Sequence, residues 1–188
     1  MGLGSSVDLK DEYIEDYLQL LYLNRTEILQ LLKRFKAIGP DEVNRNIHHR
    51  FHASRILEAF PEFKVNPFQD RLFKVFSSHH DGCFSFEDIL DLYSALSENC
   101  PTRVKAMWAF KIFDLDDDNF ITEEDVMRTV ERLTNSNARF ITEDEKRLIA
   151  NSIIGEVDLA KTGGITPLEF VHAVLKMPEF SNCFRCKP

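Results

Sequence analysis

The sequence lacks the features of several protein classes, and each absence narrows the functions open to it. Its 188 residues carry 31 acidic side chains against 23 Lys and Arg, a formal charge of −8. No basic stripe is therefore available to release counterions from a nucleic-acid backbone. No apolar run reaches the ~18 residues that span a bilayer. No nucleophile–base pair, glycine-rich phosphate loop or pair of catalytic carboxylates stands out, so we expect a protein that is not an enzyme.

Cysteine is also scarce, with four in the chain. The first three are far apart and no secretory signal precedes them, which favours a reducing, intracellular setting. Cys183 and Cys186 form half of a zinc motif without a second half, and two free thiols are favoured over acylation. His48, His49 and His52 lie close together but lack a defined ligand set, so a polar linker is favoured over a zinc site.

What the sequence does contain is helical periodicity. Phenylalanine is frequent, at 16, and apolar residues recur at spacings of three and four, as in packed helix pairs. Thr26 is the expected cap of the second helix, and Thr142 with Glu145 forms an expected capping box. The predicted helices cover 13–21, 28–35, 54–60, 67–76, 86–96, 101–113, 122–133, 142–157 and 167–175, with a polar stretch over 41–50.

Helix, short acidic or glycine-bearing loop, helix is a repeating unit along this chain. The interruptions lie near residues 41–52, 77–88, 114–125 and 158–169. The last two are spaced as in paired helix–loop–helix units. The pattern therefore predicts four such units.

The third interruption, 114–125, has the spacing of a calcium loop. Such a loop of twelve residues places oxygen ligands at positions 1, 3, 5, 7, 9 and 12 around a hard cation. Aspartates fill positions 1, 3 and 5, and seven of the twelve residues are Asp or Glu. Ile121 at position 8 is expected to pair with the neighbouring loop. The predicted ligands are Asp114, Asp116, Asp118, the carbonyl of Phe120, Thr122 and Asp125.

Two residues of this loop depart from the usual pattern. Position 6 is Asn119 instead of Gly, and Asn tolerates the left-handed conformation that the turn needs. Position 12 is Asp125, which is one methylene shorter than the usual Glu and should reach the ion through one oxygen or through water. A smaller cage suits Mg²⁺ and weakens Ca²⁺ binding, so we predict a mixed Ca²⁺/Mg²⁺ site.

The fourth interruption keeps the frame of a metal loop but loses ligands. Position 3 is Ala160, which offers no side-chain oxygen, and Lys161 adds a positive charge beside it. Two interpretations stay open, a weak site or an empty loop whose Ile165 pairs with Ile121. The predicted ligands are Asp158, Thr162, the carbonyl of Gly164 and Glu169. The second interruption, 77–88, has poor ligands and is interpreted as empty, and the first has no recognisable ligand order.

These loops predict an all-α fold of four EF-hand units in two paired lobes, with extra N-terminal and C-terminal helices. The first segment, 1–23, holds an extension and a helix, and 24–99 holds the pair with degenerate loops. Residues 100–176 form the metal-binding pair, and 177–188 form a C-terminal extension.

Several helices are apolar over a wider arc than burial on one side requires. The excess favours a groove that receives an amphipathic helix from a partner. The alternative is that the N-terminal or C-terminal helix of the chain itself fills it. The predicted groove residues are Leu92, Leu96, Val104, Met107, Trp108, Ile112, Ile153, Val171, Val174 and Leu175.

The N-terminus matches a lipidation pattern. The first six residues fit N-myristoylation, with Gly2 as the acceptor and Ser6 at the favoured hydroxyl position. A single acyl chain would bind membrane weakly and reversibly.

Several stretches together resemble the calcium- and integrin-binding (CIB) family. They are Asn66-Pro67-Phe68, Phe84-Ser85-Phe86-Glu87-Asp88, Ala109-Phe110-Lys111-Ile112-Phe113-Asp114 and Pro178-Glu179-Phe180. The Asp at position 12 of the third loop and the N-terminal Gly are features of that family, whereas the fourth loop departs from it. The resemblance implies an adaptor or regulatory subunit at the cytoplasmic face of the plasma membrane. Its implied partners are helical cytoplasmic segments of integrin α tails or of transmembrane channel-like (TMC) mechanotransduction channels.

The leading hypothesis is thus a Ca²⁺/Mg²⁺-supported adaptor or auxiliary subunit that holds a helix of a membrane protein. A soluble Ca²⁺ buffer and a regulatory subunit of an enzyme such as a phosphatase are the alternatives.

Overall fold

The computed structural model describes residues 11–135, 141–180 and 184–186. These form two compact units. The described part of the first is 11–65, 73–100 and 186, and that of the second is 66–72, 101–135, 141–180 and 184–185. The sequence had assigned the segment 66–72 to the first lobe, but it belongs to the second unit.

The described residues are mostly helical, which confirms the all-α fold. No helix among them is long and apolar enough to cross a bilayer. The helices are α1 (Asp11–Leu20), α2 (Arg25–Ile38), α3 (Pro40–Arg45), α4 (Ala53–Ala59), α5 (Gln69–Phe76), α6 (Phe86–Leu96), α7 (Thr102–Phe113), α8 (Glu123–Asn135), α9 (Glu143–Val157) and α10 (Pro167–Val174). A 3₁₀ turn covers Pro61–Phe63, and the strands are β1 (Phe51–His52) and β2 (Cys83–Phe84).

The start of α2 differs from the sequence prediction because a different residue caps the helix. Helix α2 is capped by Asn24, whose side chain accepts from the Glu27 amide at 3.0 Å, so the expected cap at Thr26 is wrong. Asn is a stronger cap than Thr, and its partner Glu completes a capping box. The capping box of Thr142 and Glu145 is confirmed.

One further expectation about helices needs correction, and another has support in the described residues. The predicted polar stretch contains α3, because Pro40 presets its first turn and Val43 is fully buried. A helix was also expected after α10, and Phe180 is helical, with the amide of Phe184 donating to its carbonyl at 3.1 Å as in an α-helix. The residues between these two lie outside the described part of the chain. Phe180 also packs against the buried cluster of Ala106, Val171 and Val174.

The first unit is built around an antiparallel pair of short strands. Phe51 in β1 pairs with Phe84 in β2, and both rings are buried. Phe84 is position 8 of the second loop, so its partner Phe51 is position 8 of the first. The first loop therefore runs over 44–55, three residues later than the expected 41–52.

The second unit repeats this design with a single bridge. The amide of Ile121 donates to the carbonyl of Ile165 and receives the reciprocal bond, both at 2.9 Å. This confirms the predicted pairing of the third and fourth loops. Around the bridge, Phe110, Val126 and Ala150 complete a buried core.

The segment 66–72, which includes the first half of α5, packs within this second unit. The ring of Phe68 meets Phe113 edge-on, with centroids 5.3 Å apart. Asp70 forms a two-pronged ion pair with Arg132, at 2.5 and 2.9 Å. The pair lowers the pKa of Asp70, through the hydrogen bonds from Arg132 above all.

Candidate metal centre

The third loop brings three of its predicted ligands together. Asp114, Asp116 and Asp118 each place a carboxylate oxygen within 4.8 Å of the others, and no other cluster of this kind is found in the described part of the chain. Helix α7 ends immediately before them, and Asp114 caps it by donating its amide to Phe110. The clustering follows from the loop's alternating spacing, which turns every second side chain inward.

The backbone of the loop folds around Asp114. Its two oxygens accept from the amides of Asp118 at 3.2 Å and Asn119 at 3.0 Å. Asn119 has φ of +68° and Asp117 has φ of +62°. Asn119 thus supplies the left-handed turn in place of Gly, as expected.

The electrostatics of this cluster favour a bound cation. Asp114 is buried, and burial together with the neighbouring charges of Asp117 and Asp118 raises the pKa of its carboxyl group, against lowering hydrogen bonds from the loop amides. A divalent cation would stabilise its charged form. Carboxylate oxygens at this spacing are the donors that Ca²⁺ and Mg²⁺ prefer, so the residues fit the metal.

The side-chain length at position 12 determines which backbone amide of the loop it can reach. Asp125 accepts from the amide of Leu115, at position 2, at 3.1 Å, and from the amide and hydroxyl of Thr122 at 2.9 and 2.8 Å. In the fourth loop the longer Glu169 reaches one residue further, to the amide of Ala160 at position 3, at 3.0 Å. Asp125 stands outside the cluster of three, and its direct or water-mediated contact with metal stays a prediction, as do those of Thr122 and the Phe120 carbonyl.

The fourth loop keeps the backbone conformation of a metal loop, but its oxygen atoms accept hydrogen bonds from within the loop. Asp158 accepts from the amides of Thr162 at 3.0 Å and Gly163 at 2.8 Å. The Thr162 hydroxyl donates to the carbonyl of Gly164 at 3.0 Å, so these two predicted ligands bond to each other. The hydroxyl and amide of Thr166 and the Ala160 amide lower the pKa of the Glu169 carboxyl to about 2.

Comparison with known proteins matches these loops to a family. An EF-hand domain pair model covers residues 103–175. The chain is 34% identical to Calcium and integrin-binding family member 2 of Drosophila melanogaster over 186 residues, 96% of this chain and 97% of the relative. It is 33% identical to the mouse and human proteins of the same name over 181 residues, 94% of this chain and 95% of each relative.

The chain belongs to the calcium and integrin-binding family. It is a Ca²⁺-binding EF-hand protein, and the sequence resemblance is confirmed. Within this family frame the third loop is the best-equipped metal site of the described residues, and the fourth lacks the carboxylate at position 3.

Sequence reasoning missed one residue that shapes this site. The Arg71 guanidinium, from α5, is buried and donates to the carbonyls of Lys111 at 2.7 Å, Ile112 at 3.3 Å and Leu115 at 3.2 Å. It also bonds the carbonyl of Asp114 and the carboxylate of Asp117, the latter at 2.7 Å. It thereby caps the C-terminus of α7 and fixes the first residues of the metal loop. Its partners are about forty residues away in sequence, and no local pattern signals them.

The predicted groove residues have different environments. Leu92 and Leu96 belong to the first unit and are buried, so they do not line an open groove. Ile112, Val171 and Val174 are likewise buried within the second unit, the last two under Phe180. Val104 and Trp108 are half-buried, and the exposed members are Met107, Ile153 and Leu175.

The remaining candidates are accounted for locally. His48 bonds the Glu87 carboxylate at 2.6 Å, whereas His52 caps α4 through the amide of Ser54. The two rings therefore have separate partners and do not form a joint metal site. Cys83, Cys100 and Cys186 are in the thiol form. Gly2 and Cys183 lie outside the described residues.

Proposed function

We propose that this protein is a Ca²⁺/Mg²⁺-binding adaptor that holds an amphipathic helix from the cytoplasmic segment of a membrane protein. The partner class is an integrin α tail or a segment of a TMC-type channel. The integrin-binding name of its relatives supports the first of these. Because binding a helix needs no chemistry, the proposal also makes the protein a non-enzyme.

The observation that carries this proposal is exposed apolar surface on the second unit. Met107 on α7 is 56% exposed, Ile153 on α9 40% and Leu175 after α10 50%. Large side chains left in water at several places on one unit are candidates for contact with the apolar face of a partner helix.

The test is a binding titration with synthetic peptides of an integrin α tail and of a TMC cytoplasmic segment. Ile153→Glu and Leu175→Glu should each weaken binding about tenfold or more, because a charge would enter the apolar contact. Val65→Glu is the matched control, since Val65 is an exposed apolar residue of the first unit, 84% accessible. Unchanged affinity in both groove variants would exclude this surface.

We also propose that the third loop takes Mg²⁺ as well as Ca²⁺. The short side chain at position 12 supports this, because it bonds the amide at position 2 and reaches less far than Glu169 does. Calorimetric Ca²⁺ titrations with and without Mg²⁺ test it. Competition is expected, and identical isotherms would refute it.

Myristoylation of Gly2 would place the adaptor at the inner face of the plasma membrane. The support is the N-terminal pattern alone. Metabolic labelling with a myristate analogue should mark the wild type and leave Gly2→Ala unmarked. Label on neither protein would remove the lipid from the proposal.

A further inference from the structure

The second loop, 77–88, holds a positively charged group of the chain itself. Arg50 is position 7 of the first loop, directly before β1. Its side chain is 17% exposed and extends into the second loop. Its Nε is buried without a partner in the described chain, so the two terminal nitrogens make the contacts.

Those contacts fall on the positions that bind metal in an EF-hand loop. The terminal nitrogens donate to the Asp81 carboxylate at position 5 and the Asp88 carboxylate at position 12, each at 2.9 Å. They donate to the Cys83 carbonyl at position 7 at 2.6 Å and lie 3.5 Å from the Ser77 hydroxyl at position 1. The Ser78 hydroxyl, at position 2, adds a bond at 2.9 Å.

The backbone around this guanidinium has the conformation of the metal loop. Gly82 at position 6 has φ of +71° and His80 at position 4 has φ of +52°, matching Asn119 and Asp117 of the third loop. The Asp88 carboxylate accepts from the amide at position 2 at 3.2 Å, as Asp125 does.

We propose that the second loop is a cation site whose permanent ligand is the guanidinium of Arg50. A planar guanidinium offers several donors to converging oxygens, so it satisfies the carboxylates, the carbonyl and the hydroxyls that otherwise surround a metal ion. The first unit consequently keeps its loop geometry without a divalent ion, and metal acts on the second unit.

An ordinary ion pair does not account for this arrangement. One carboxylate would balance the charge of Arg50, yet the group contacts two carboxylates and one carbonyl at three ligand positions. Hydrogen bonds from Arg50 and from the Cys83 amide lower the pKa of Asp81 to about 2, as expected for an acid facing a fixed cation.

The first experiment measures amide hydrogen exchange of residues 77–88 in the full chain. In the wild type, exchange should be the same with chelator and with Ca²⁺. In Arg50→Met under chelator it should be at least about tenfold faster, because the converging oxygens lose their charged donor. Arg45→Met is the matched control, because it removes an exposed guanidinium from α3 of the same unit.

The second experiment asks whether charge is the reason. Asp81→Asn should speed exchange in the wild type but slow it in the Arg50→Met background, since it removes a carboxylate left without its cation. If Arg50→Met does not fold, Arg50→Lys keeps the charge with fewer donors and should give intermediate protection. The same comparison with Asp81→Asn then applies.

Three results would overturn the proposal. Wild-type exchange in 77–88 that slows on adding Ca²⁺ would mean that the loop takes metal. Unchanged exchange in Arg50→Met would mean that the guanidinium is dispensable. An equal effect of Asp81→Asn in both backgrounds would mean that Arg50 acts by packing alone.

Discussion

The second and third loops belong to different units of the chain. They have the same backbone conformation but differ in the cation that neutralises their acidic side chains. In the third, the carboxylates of Asp114, Asp116 and Asp118 converge, and the site fits an exchangeable ion. In the second, the guanidinium of Arg50 meets Asp81 and Asp88.

The conformation of such a loop is therefore separable from its dependence on metal. Both loops place left-handed residues at positions 4 and 6 and use the side chain at position 12 to hold an amide. The guanidinium of Arg50 is a tethered cation, because it is part of the chain and is always present beside the second loop. A free ion stabilises the third loop only to the extent that its concentration and affinity allow. Five measurements distinguish the two kinds of loop.

Arg71→Met asks whether the metal loop also needs an internal arginine. We expect a loss of about 3 kcal/mol in the free energy of unfolding of the second unit, because five backbone and carboxylate acceptors lose a buried charged donor. Urea titration followed by the single Trp, Trp108 in α7, measures it. Arg128→Met, which breaks only an exposed pair with Glu124, should change little. Equal effects in both variants would contradict the role given to Arg71.

Asp116→Ala separates the exchangeable site from the tethered one. Ca²⁺ affinity should fall about a hundredfold, because the loop loses one of three converging carboxylates. Exchange in 77–88 should not change. Calorimetry measures the affinity, and Asp144→Ala on the exposed face of α9 is the control. Full affinity in Asp116→Ala would exclude the third loop as the principal site.

Ala160→Asp combined with Thr162→Asp should turn the fourth loop into a stronger metal site. The fold already supplies the turn at Gly163, with φ of +91°, and only the side-chain oxygens are missing. A second equivalent of Ca²⁺ should bind, with affinity at least about tenfold above any wild-type binding there. Native mass spectrometry measures the stoichiometry. An unchanged stoichiometry would mean that the frame, and not the ligands, limits this loop.

Asp125→Glu should shift the third loop toward Ca²⁺. The added methylene lets the side chain extend as Glu169 does, which favours a larger cage and raises the Ca²⁺ over Mg²⁺ preference about tenfold. Competition calorimetry measures the ratio. The exposed neighbour Glu124→Asp changes length without touching the cluster and should leave the ratio alone. A constant ratio in Asp125→Glu would assign selectivity elsewhere.

Acid should weaken the tethered site through Asp81. Its pKa is about 2 in the folded chain against an ordinary 3.8, so its stabilisation is complete above about 3.8 and is lost as pH falls toward 2. The stability difference between wild type and Asp81→Asn should therefore be constant near neutral pH and shrink in that acidic window. Urea titrations at several pH values measure it. A difference that grows on acidification would contradict the lowered pKa.

Most of the candidate metal site could be predicted from the sequence, because its residues lie close together in one loop. Asp114, Asp116 and Asp118 lie two residues apart, so their spacing alone predicts that they converge. Ile121 and Ile165 were paired correctly because position 8 of every such loop faces its neighbour. The groove was misjudged in part because periodicity reports apolar faces without saying which are covered, as the burial of Leu92 and Val171 shows.

The helix–loop–helix repeat, the family and the loop best equipped for metal thus follow from local sequence. The placement of Arg50 in the second loop and of Arg71 against the third depends on tertiary folding. Each arginine meets partners more than twenty residues away. A guanidinium on a long side chain can satisfy whichever oxygens folding brings near it, and no sequence spacing records that choice.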